Sequence, residues 1–294
     1  MAEDNLKTAY DKLLKKHDRS GRPFRDDKYD AYFTDDYLRW LLNEKMPKDV
    51  RKAYKEGAGK ELSYGKKGEP PSMLSVASSS RFCFLSLIES DLSAFGVKNK
   101  AGDIEFEKKL PITSGTPPHM DAYYMGEEEE YFFECKCHEQ FDDHPIELAA
   151  SYFDKDLLVC RIPKGYVHGP KTKKVNGKNW RYFEVDQEAF GLDKRALFDI
   201  KQLLTHLMGI DKKHQKKHAK LIYFYFIPAI VRKENAAIDD LTNRLIEEIK
   251  TVFASDIIQG FLHNEKRDIE LELYFLTSDD VQTASQDNVE RILI

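Results

Sequence analysis

The stretch "HMDAYYMGEEEEYFFECKCHE", residues 119 to 139, gathers the side chains of this chain whose types and spacing suit chemistry best. Alternation along "YFFECKCH" puts Phe132, Glu134 and Lys136 on one strand face and Phe133, Cys135 and Cys137 on the other, so the cysteines are expected to face the core. If "HMDAYYM" and "YFFECKC" form a hairpin with a two-residue turn at Glu127-Glu128, Asp121 falls directly across from Glu134. A turn at Gly126-Glu127 makes the pair diagonal on the same face, and a three-residue loop would separate the two. Two carboxylates at that distance destabilise each other unless one is protonated or a cation lies between them. Oxygen donors on neighbouring strands suit a hard divalent ion such as magnesium. A lysine beside that ion could hold or deprotonate the attacking water, or neutralise charge building on a phosphoryl oxygen. Asp121, Glu134 and Lys136 therefore make a unit for metal-assisted phosphodiester hydrolysis, although an acid and a lysine two apart also occur on plain strand surfaces. Glu127 to Glu130, at the turn and its flank, are expected to be solvated.

A zinc site is a weak competitor. "CKCHEQFDDH" offers Cys135, Cys137, His138 and His144, but alternation turns His138 away from the cysteines and no second knuckle follows.

The elements that would position the unit can be read from the periodicity. "NLKTAYDKLLKKH" carries Leu6, Tyr10, Leu13 and Leu14 at helical spacing, and "DDYLRWLLNEKM" gives a second apolar stripe, so residues 1–56 form an N-terminal helical segment. "VASSSRFCFLSL" reads as a helix capped by Ser79 or Ser80. "IEFEKKLPI", "HMDAYYM" and "YFFECKCH" read as strands, and "PIELAASYF" as helix. "VNGKNWRYFEV" suggests a hairpin turning at Asn176-Gly177, within an insertion around residues 160–190. "DKRALFDIKQLLTHLMGI" is an amphipathic helix, "KLIYFYFIP" a strand buried on both faces, "AAIDDLTNRLIEEIKTVFASDI" a further helix and "DIELELYFLT" an alternating strand. This order predicts an α/β fold, a mixed sheet flanked by helices.

"HMD", followed thirteen residues on by "ECK", resembles the PD-(D/E)xK nuclease motif. "GAGKEL", "SVASSSRFCFLSL", "FEKKLPITSGTPPHMDAYY" and "FDIKQLLTHLMGI" are similar, in order, to a group of bacterial restriction-endonuclease-like proteins of that superfamily, over residues 57 to about 230. His119 stands near the place of the motif's proline, and Cys135 fills its variable position. The resemblance implies a restriction-endonuclease-like mixed sheet over residues 57–294, after the helical segment. It implies that Asp121, Glu134 and the backbone carbonyl of Cys135 bind Mg2+ or Mn2+, and that Lys136 acts on the nucleophilic water. It further implies an upstream glutamate completing the site, with Glu61 in "GAGKEL" the choice and Glu89 in "LIES" the rival, and a helix-borne glutamine at Gln202. Gln202 and His206, four apart, share a helix face and could both reach the site.

The implied activity is a metal-dependent nuclease in which a metal-activated water hydrolyses phosphodiester bonds. DNA, double-stranded, is the first substrate expected, with RNA and the endo- or exonuclease mode left open. The alternative is a non-catalytic nucleic-acid-binding or assembly protein that keeps the fold. The net charge of −5 gives no global attraction to nucleic acid, yet "KKHDRSGRPFR", "KTKKVNGKNWR" and "KKHQKKHAK" are locally basic. Ser79, Ser80 and Arg81 at a helix start, Lys173 and Lys174 in the insertion, and His206 are the candidate nucleic-acid contacts. With 41% hydrophobic and 33% charged residues in 294, and no apolar run of membrane-spanning length, no membrane partner is expected. Four cysteines without framework spacing point to a reducing compartment, the cytoplasm. A homodimer would serve coordinated double-strand cleavage.

Overall fold

The unbroken apolar run of "LIYFYF" becomes the strand at the centre of the sheet, buried on both faces. The structure, a computed structural model, describes residues 2–57, 61–113, 117–153, 157–175, 177–193, 195–264 and 267–294. Helices α1 (Ala2–His17), α2 (Asp35–Trp40), which continues into a π-helical turn at Leu41–Lys45, and α3 (Lys48–Glu56) open the chain. Helix α4 (Ser79–Leu87) precedes strands β1 (Glu105–Lys109), β2 (His119–Met125) and β3 (Glu129–Lys136). Strand β4 (Glu147–Ala149), helix α5 (Ala150–Phe153) and strands β5 (Val167–Val175) and β6 (Lys178–Val185) follow. The chain continues through α6 (Ile200–Lys213), β7 (His218–Tyr225), α7 (Ala229–Glu234), α8 (Ala236–Ala254) and α9 (Asp256–Leu262). It closes with the two-residue β8 (His263–Asn264), β9 (Arg267–Leu276) and β10 (Val289–Ile292).

The fold is α/β. The main sheet runs β1-β2-β3-β7-β9-β10, with β8 paired to β9, and β4-β6-β5 make a separate three-stranded sheet. β3, β7 and β9 are parallel, while β1, β2 and β10 pair antiparallel at the two ends, which makes the main sheet mixed. "PIELAASYF" divides between β4 and α5 instead of forming one helix, because Glu147 to Ala149 pair with Tyr182 to Glu184 of β6. The expected hairpin of the insertion is present as β5 and β6, Val175 opposite Lys178; of its turn, Asn176 lies outside the described residues and Gly177 has a φ of +77° that favours glycine.

The N-terminal segment does not stand apart from the sheet. Tyr10 of α1 is buried, and its hydroxyl donates to the carbonyls of Cys137 at 2.7 Å and Phe226 at 3.1 Å, tying the ends of β3 and β7 together. Tyr10 and Leu14 belong to the same core cluster as Phe133, Phe224 and Leu273 of the sheet. Among the described residues no helix is long and apolar enough to cross a membrane.

Helix α6 is drawn close to the end of β1. A methyl group on Gly209 would sit 2.6 Å from Leu110 Cβ and 3.2 Å from its carbonyl oxygen, so glycine alone permits the approach. That approach fixes the helix carrying Gln202 and His206.

Candidate active site

The β2-β3 hairpin has the register expected from a turn at Glu127-Glu128. Ala122 lies opposite Phe133 and Met125 opposite Glu130, and the Gly126 N–H donates to the Glu129 carbonyl at 2.9 Å. A side chain at Gly126 would meet that carbonyl at 2.8 Å, which explains the glycine. One step beyond Ala122 and Phe133, Asp121 lies towards Glu134, and the strands splay there. The Asp121 carboxylate, not a backbone carbonyl, receives the Cys135 N–H at 2.7 Å.

Glu127 and Glu128 are exposed, as expected, but Glu130 is not solvated. It is 1% exposed, accepts the Tyr123 hydroxyl at 2.8 Å and the backbone N–H groups of Gln215 and Lys216 at 2.6 and 2.8 Å, and so anchors the entry to β7.

Helix α6 covers the face bearing Glu134 and Lys136. Glu134 is only 3% exposed. Its Oε1 accepts from Gln202 Nε2 at 2.9 Å and lies 2.7 Å from Lys136 Nζ, while Lys136 Nζ donates to Gln202 Oε1 at 2.6 Å. Glu134, Lys136 and Gln202 thus close a triangle across the gap between β3 and α6. The side chain of Asp199 caps α6 by accepting the Gln202 N–H at 2.8 Å, which fixes the helix end from which Gln202 reaches inward.

His206, one turn further, is 1% exposed, so it lies beneath Glu134 and not on a surface where it could meet nucleic acid. Its Nε2 lies 3.1 Å from the His119 carbonyl and 3.7 Å from Glu134 Oε2. Burial, then the Lys136 charge, push its pKa down to about 3, so the ring is neutral and donates to the carbonyl.

Burial also works to lower the Lys136 pKa, but the combined pull of Glu134, Glu139 and Asp121 outweighs it and holds the ammonium above its usual value. Lys136 is therefore a cation at neutral pH. Asp121, half-buried, has its pKa raised first by burial and then by the Glu134 charge, against the opposing pull of Lys136 and the Cys135 amide. Burial raises Glu134 too, despite Lys136 and Gln202.

A further carboxylate joins the group, one that residue spacing alone does not reveal. Glu107 of β1 falls between the pairs Phe106–Ala122 and Lys108–Met120, level with Asp121, and adopts a φ of +55° within its strand. Non-glycine residues seldom take that conformation, and it is held here by the surroundings. Period-two reading puts Glu107 outward with Glu105; the backbone turn instead brings it to His119 Nδ1, 3.1 Å from its Oε2. Burial, then Glu61, then Glu134 raise its pKa to about 7.

Glu61 is buried, and burial raises its pKa; its Oε2 has no hydrogen-bond partner. It thus lies within electrostatic reach of Glu107. Its rival Glu89 is exposed and paired with Lys45 at 2.8 Å. Tyr223, beside Glu134 in the β3-β7 register, has a buried hydroxyl without a partner.

The remaining expected nucleic-acid contacts are placed differently. Ser78, not Ser79 or Ser80, caps α4 by accepting the Arg81 N–H at 3.1 Å; Ser79 and Ser80 are half-buried. Arg81 is 5% exposed, donates to the Val76 carbonyl at 2.7 Å and lies 4.5 Å over the Phe33 ring, so its charge is spent in the core. Lys173 and Lys174 are exposed on β5.

Does this donor set fit a divalent cation? Among the described residues no group of three or more His, Cys, Asp or Glu side chains is placed to hold a metal ion. The chemistry of the donors nevertheless fits: Glu134 Oε2 and Glu61 Oε2 are buried without hydrogen-bond partners, and the Glu134 charge raises the pKa of both Asp121 and Glu107. Buried, under-satisfied oxygens carrying excess negative charge are what a hard cation offsets. The zinc alternative gains nothing, because Cys135 and Cys137 are buried and burial raises both thiols above their usual range.

The raised Glu107 has a consequence for stability. Between its unfolded pKa, near 4.5, and about 7, the folded protein holds a proton that the unfolded chain has lost, so stability falls as pH rises through that window. Glu107→Gln should flatten this fall and, in EDTA at pH 8, exceed the wild type by roughly 2 to 3 kcal/mol, at about 1.4 kcal/mol per pKa unit. Melting temperatures of both proteins from pH 4 to 8 check this; parallel curves would rule out a strained Glu107.

Comparison with protein-family models, with curated proteins and with solved structures finds no match to this chain.

Proposed function

We propose that this chain is a metal-dependent nuclease of restriction-endonuclease-like fold, hydrolysing phosphodiester bonds, with DNA as its substrate. The observation that carries the proposal is the Glu134–Lys136–Gln202 triangle, its glutamate buried, with Asp121 across the splayed hairpin. A structural ion pair would need neither the unpaired Glu134 oxygen nor the neighbouring raised carboxylates of Asp121 and Glu107.

Asp121 and Glu134, with the Cys135 carbonyl and Glu61, are the residues that would hold Mg2+ or Mn2+. When bound, such an ion supplies Lewis-acid polarisation of the phosphoryl oxygen and a more acidic attacking water. The chain supplies the rest. Lys136 keeps a positive charge where negative charge builds during phosphoryl transfer. Gln202 hydrogen-bonds both Lys136 and Glu134, so neither swings away when the other rearranges. His206, neutral and tied to the His119 carbonyl, packs beneath Glu134 without competing for its charge.

Cys135 contributes only its backbone in this reading. Its thiol faces the core, and Cys135→Ala should keep cleavage within a fewfold of wild type while costing about 1 kcal/mol of stability. Initial rates and a urea melt measure both; complete loss of cleavage in a folded variant would favour thiolate chemistry.

The proposal is tested by incubating the protein with linear, circular and single-stranded DNA and with RNA, each with and without Mg2+ or Mn2+. Cation-dependent cleavage of DNA supports it. A protein that binds nucleic acid and cuts none of these substrates supports the non-catalytic alternative.

A further inference from the structure

The β5-β6 arm is an isolated surface for most of its length. β4 pairs with β6 only from Glu184 to Tyr182, so towards the tip, from Thr172 to Val175 and from Lys178 to Arg181, the two strands have only each other. Every residue of β5 after Val167 is exposed.

The arm is basic in an acidic chain. Residues 167 to 185 contain Lys171, Lys173, Lys174, Lys178 and Arg181 against the single acid Glu184, while the whole chain carries −5. Lys171 pairs with Glu184, and Lys173 with Glu147. Lys174, Lys178 and Arg181 make no ion pair among the described residues, so three cations face solvent on an unsupported hairpin. Their charge complements a polyanion.

The arm also presents a ring. Trp180 is half-buried and stacks on Tyr182, centroids 4.8 Å apart and planes 10° from parallel. Lys173 Nζ lies 5.1 Å from both centroids, and Lys201 Nζ lies 5.8 Å from that of Trp180. Lys201 immediately precedes Gln202, so the helix end that reaches Glu134 and Lys136 also meets the arm.

We propose that the arm is a stacking platform for an unpaired base of a nucleic-acid strand, with Trp180 as the ring and Lys174, Lys178 and Arg181 as the phosphate contacts. Backbone contacts to an intact duplex need the cations alone; a flat ring among them serves a base that has left its stack. The inference refines the proposed nuclease, selecting substrates with single-stranded segments beside the scissile bond.

The test is a titration of tryptophan emission in EDTA, where no cleavage interferes. The probes are a single-stranded oligodeoxynucleotide of about 12 nucleotides, within the ~4–16 typical of single-strand sites, and its blunt duplex. The single strand should quench emission saturably and more strongly than the duplex. Trp180→Phe, which leaves Trp40 as the only tryptophan, should lose the quench, and Trp180→Ala, followed by the anisotropy of the same oligonucleotide carrying a dye, should weaken single-strand binding roughly 5- to 100-fold. The combined variant Lys174→Ala, Lys178→Ala, Arg181→Ala should weaken single strand and duplex alike and flatten the salt dependence. Absence of quenching, or equal quenching by the duplex, overturns the proposal, as does an undiminished quench in Trp180→Phe. The two readings fail separately. Quenching without cleavage in Mg2+ leaves the arm and removes the nuclease, whereas cleavage of single-stranded DNA at the wild-type rate by Trp180→Ala removes the arm and leaves the nuclease.

Discussion

Lys136→Met is expected to lower DNA cleavage at saturating Mg2+ by about a hundredfold or more, because a single preorganised charge aimed at a developing oxyanion contributes roughly 3 to 4 kcal/mol. Methionine keeps the apolar stem of the side chain and removes the ammonium, with its charge and its hydrogen bond to Gln202. The same variant should lose stability, for a reason alternation alone did not show. Lys136 is the counter-charge of the buried Glu134, 2.7 Å away, and Glu134 Oε2 already lacks a partner. Removing one member of such a pair costs about 3 to 5 kcal/mol when the other stays charged.

The sign with pH follows from Glu134, whose folded pKa is raised even with Lys136 present. Without Lys136 the folded state favours the protonated carboxyl still more, so stability falls as pH rises from the unfolded carboxylate pKa upward. The variant should lie nearest the wild type at about pH 5 and furthest from it at about pH 8. Urea melts at those two values check the stability, and plasmid nicking checks the rate; nicking at the wild-type rate in a folded variant would remove Lys136 from the chemistry.

Asp121→Asn should have the opposite effect on stability. Burial and the Glu134 charge hold the Asp121 carboxyl well above its ordinary range, so in EDTA at pH 8 the neutral amide relieves repulsion and should raise stability. The Cys135 N–H keeps an acceptor, because an amide oxygen can replace the carboxylate oxygen 2.7 Å from it. Mg2+ should reverse the order. An ion at a hundred times its dissociation constant adds about 2.7 kcal/mol to a protein that binds it folded and not unfolded. Wild type should gain that increment and Asp121→Asn should not. Thermal melts of both proteins, with EDTA and with Mg2+, separate a carboxylate pair kept for a cation from one that is only structural.

The faces of the hairpin strands were legible in the sequence, whereas the register stayed open among three turns until the pairing of Ala122 with Phe133 selected one. Alternation in "YFFECKCH" assigns faces, and Gly126 marks a turn that excludes a side chain by its approach to the Glu129 carbonyl. Gln202 and His206 were legible as a pair because helical spacing puts them on one side of α6. Glu107 was not, since its outward appearance rests on a regular strand and the φ of +55° that turns it inward belongs to no residue-type signal. Glu130 was hidden in a run of four glutamates, and only the arrival of Gln215 and Lys216 from a distant segment explains its burial. Arg81 and His206 show the same limit. A basic residue at a helix start and a histidine beside a polar pair read as surface groups until the packing of α4 and α6 shows both side chains enclosed.

The central claim, that Asp121, Glu134 and Lys136 hydrolyse phosphodiester bonds with a divalent cation, is tested most directly by plasmid nicking with wild type and Asp121→Asn side by side, in Mg2+ and in EDTA. Nicking by wild type in Mg2+, none in EDTA and none by a folded Asp121→Asn in either condition is the expected result. Equal nicking by the two proteins, or nicking by wild type that EDTA leaves unchanged, would contradict it.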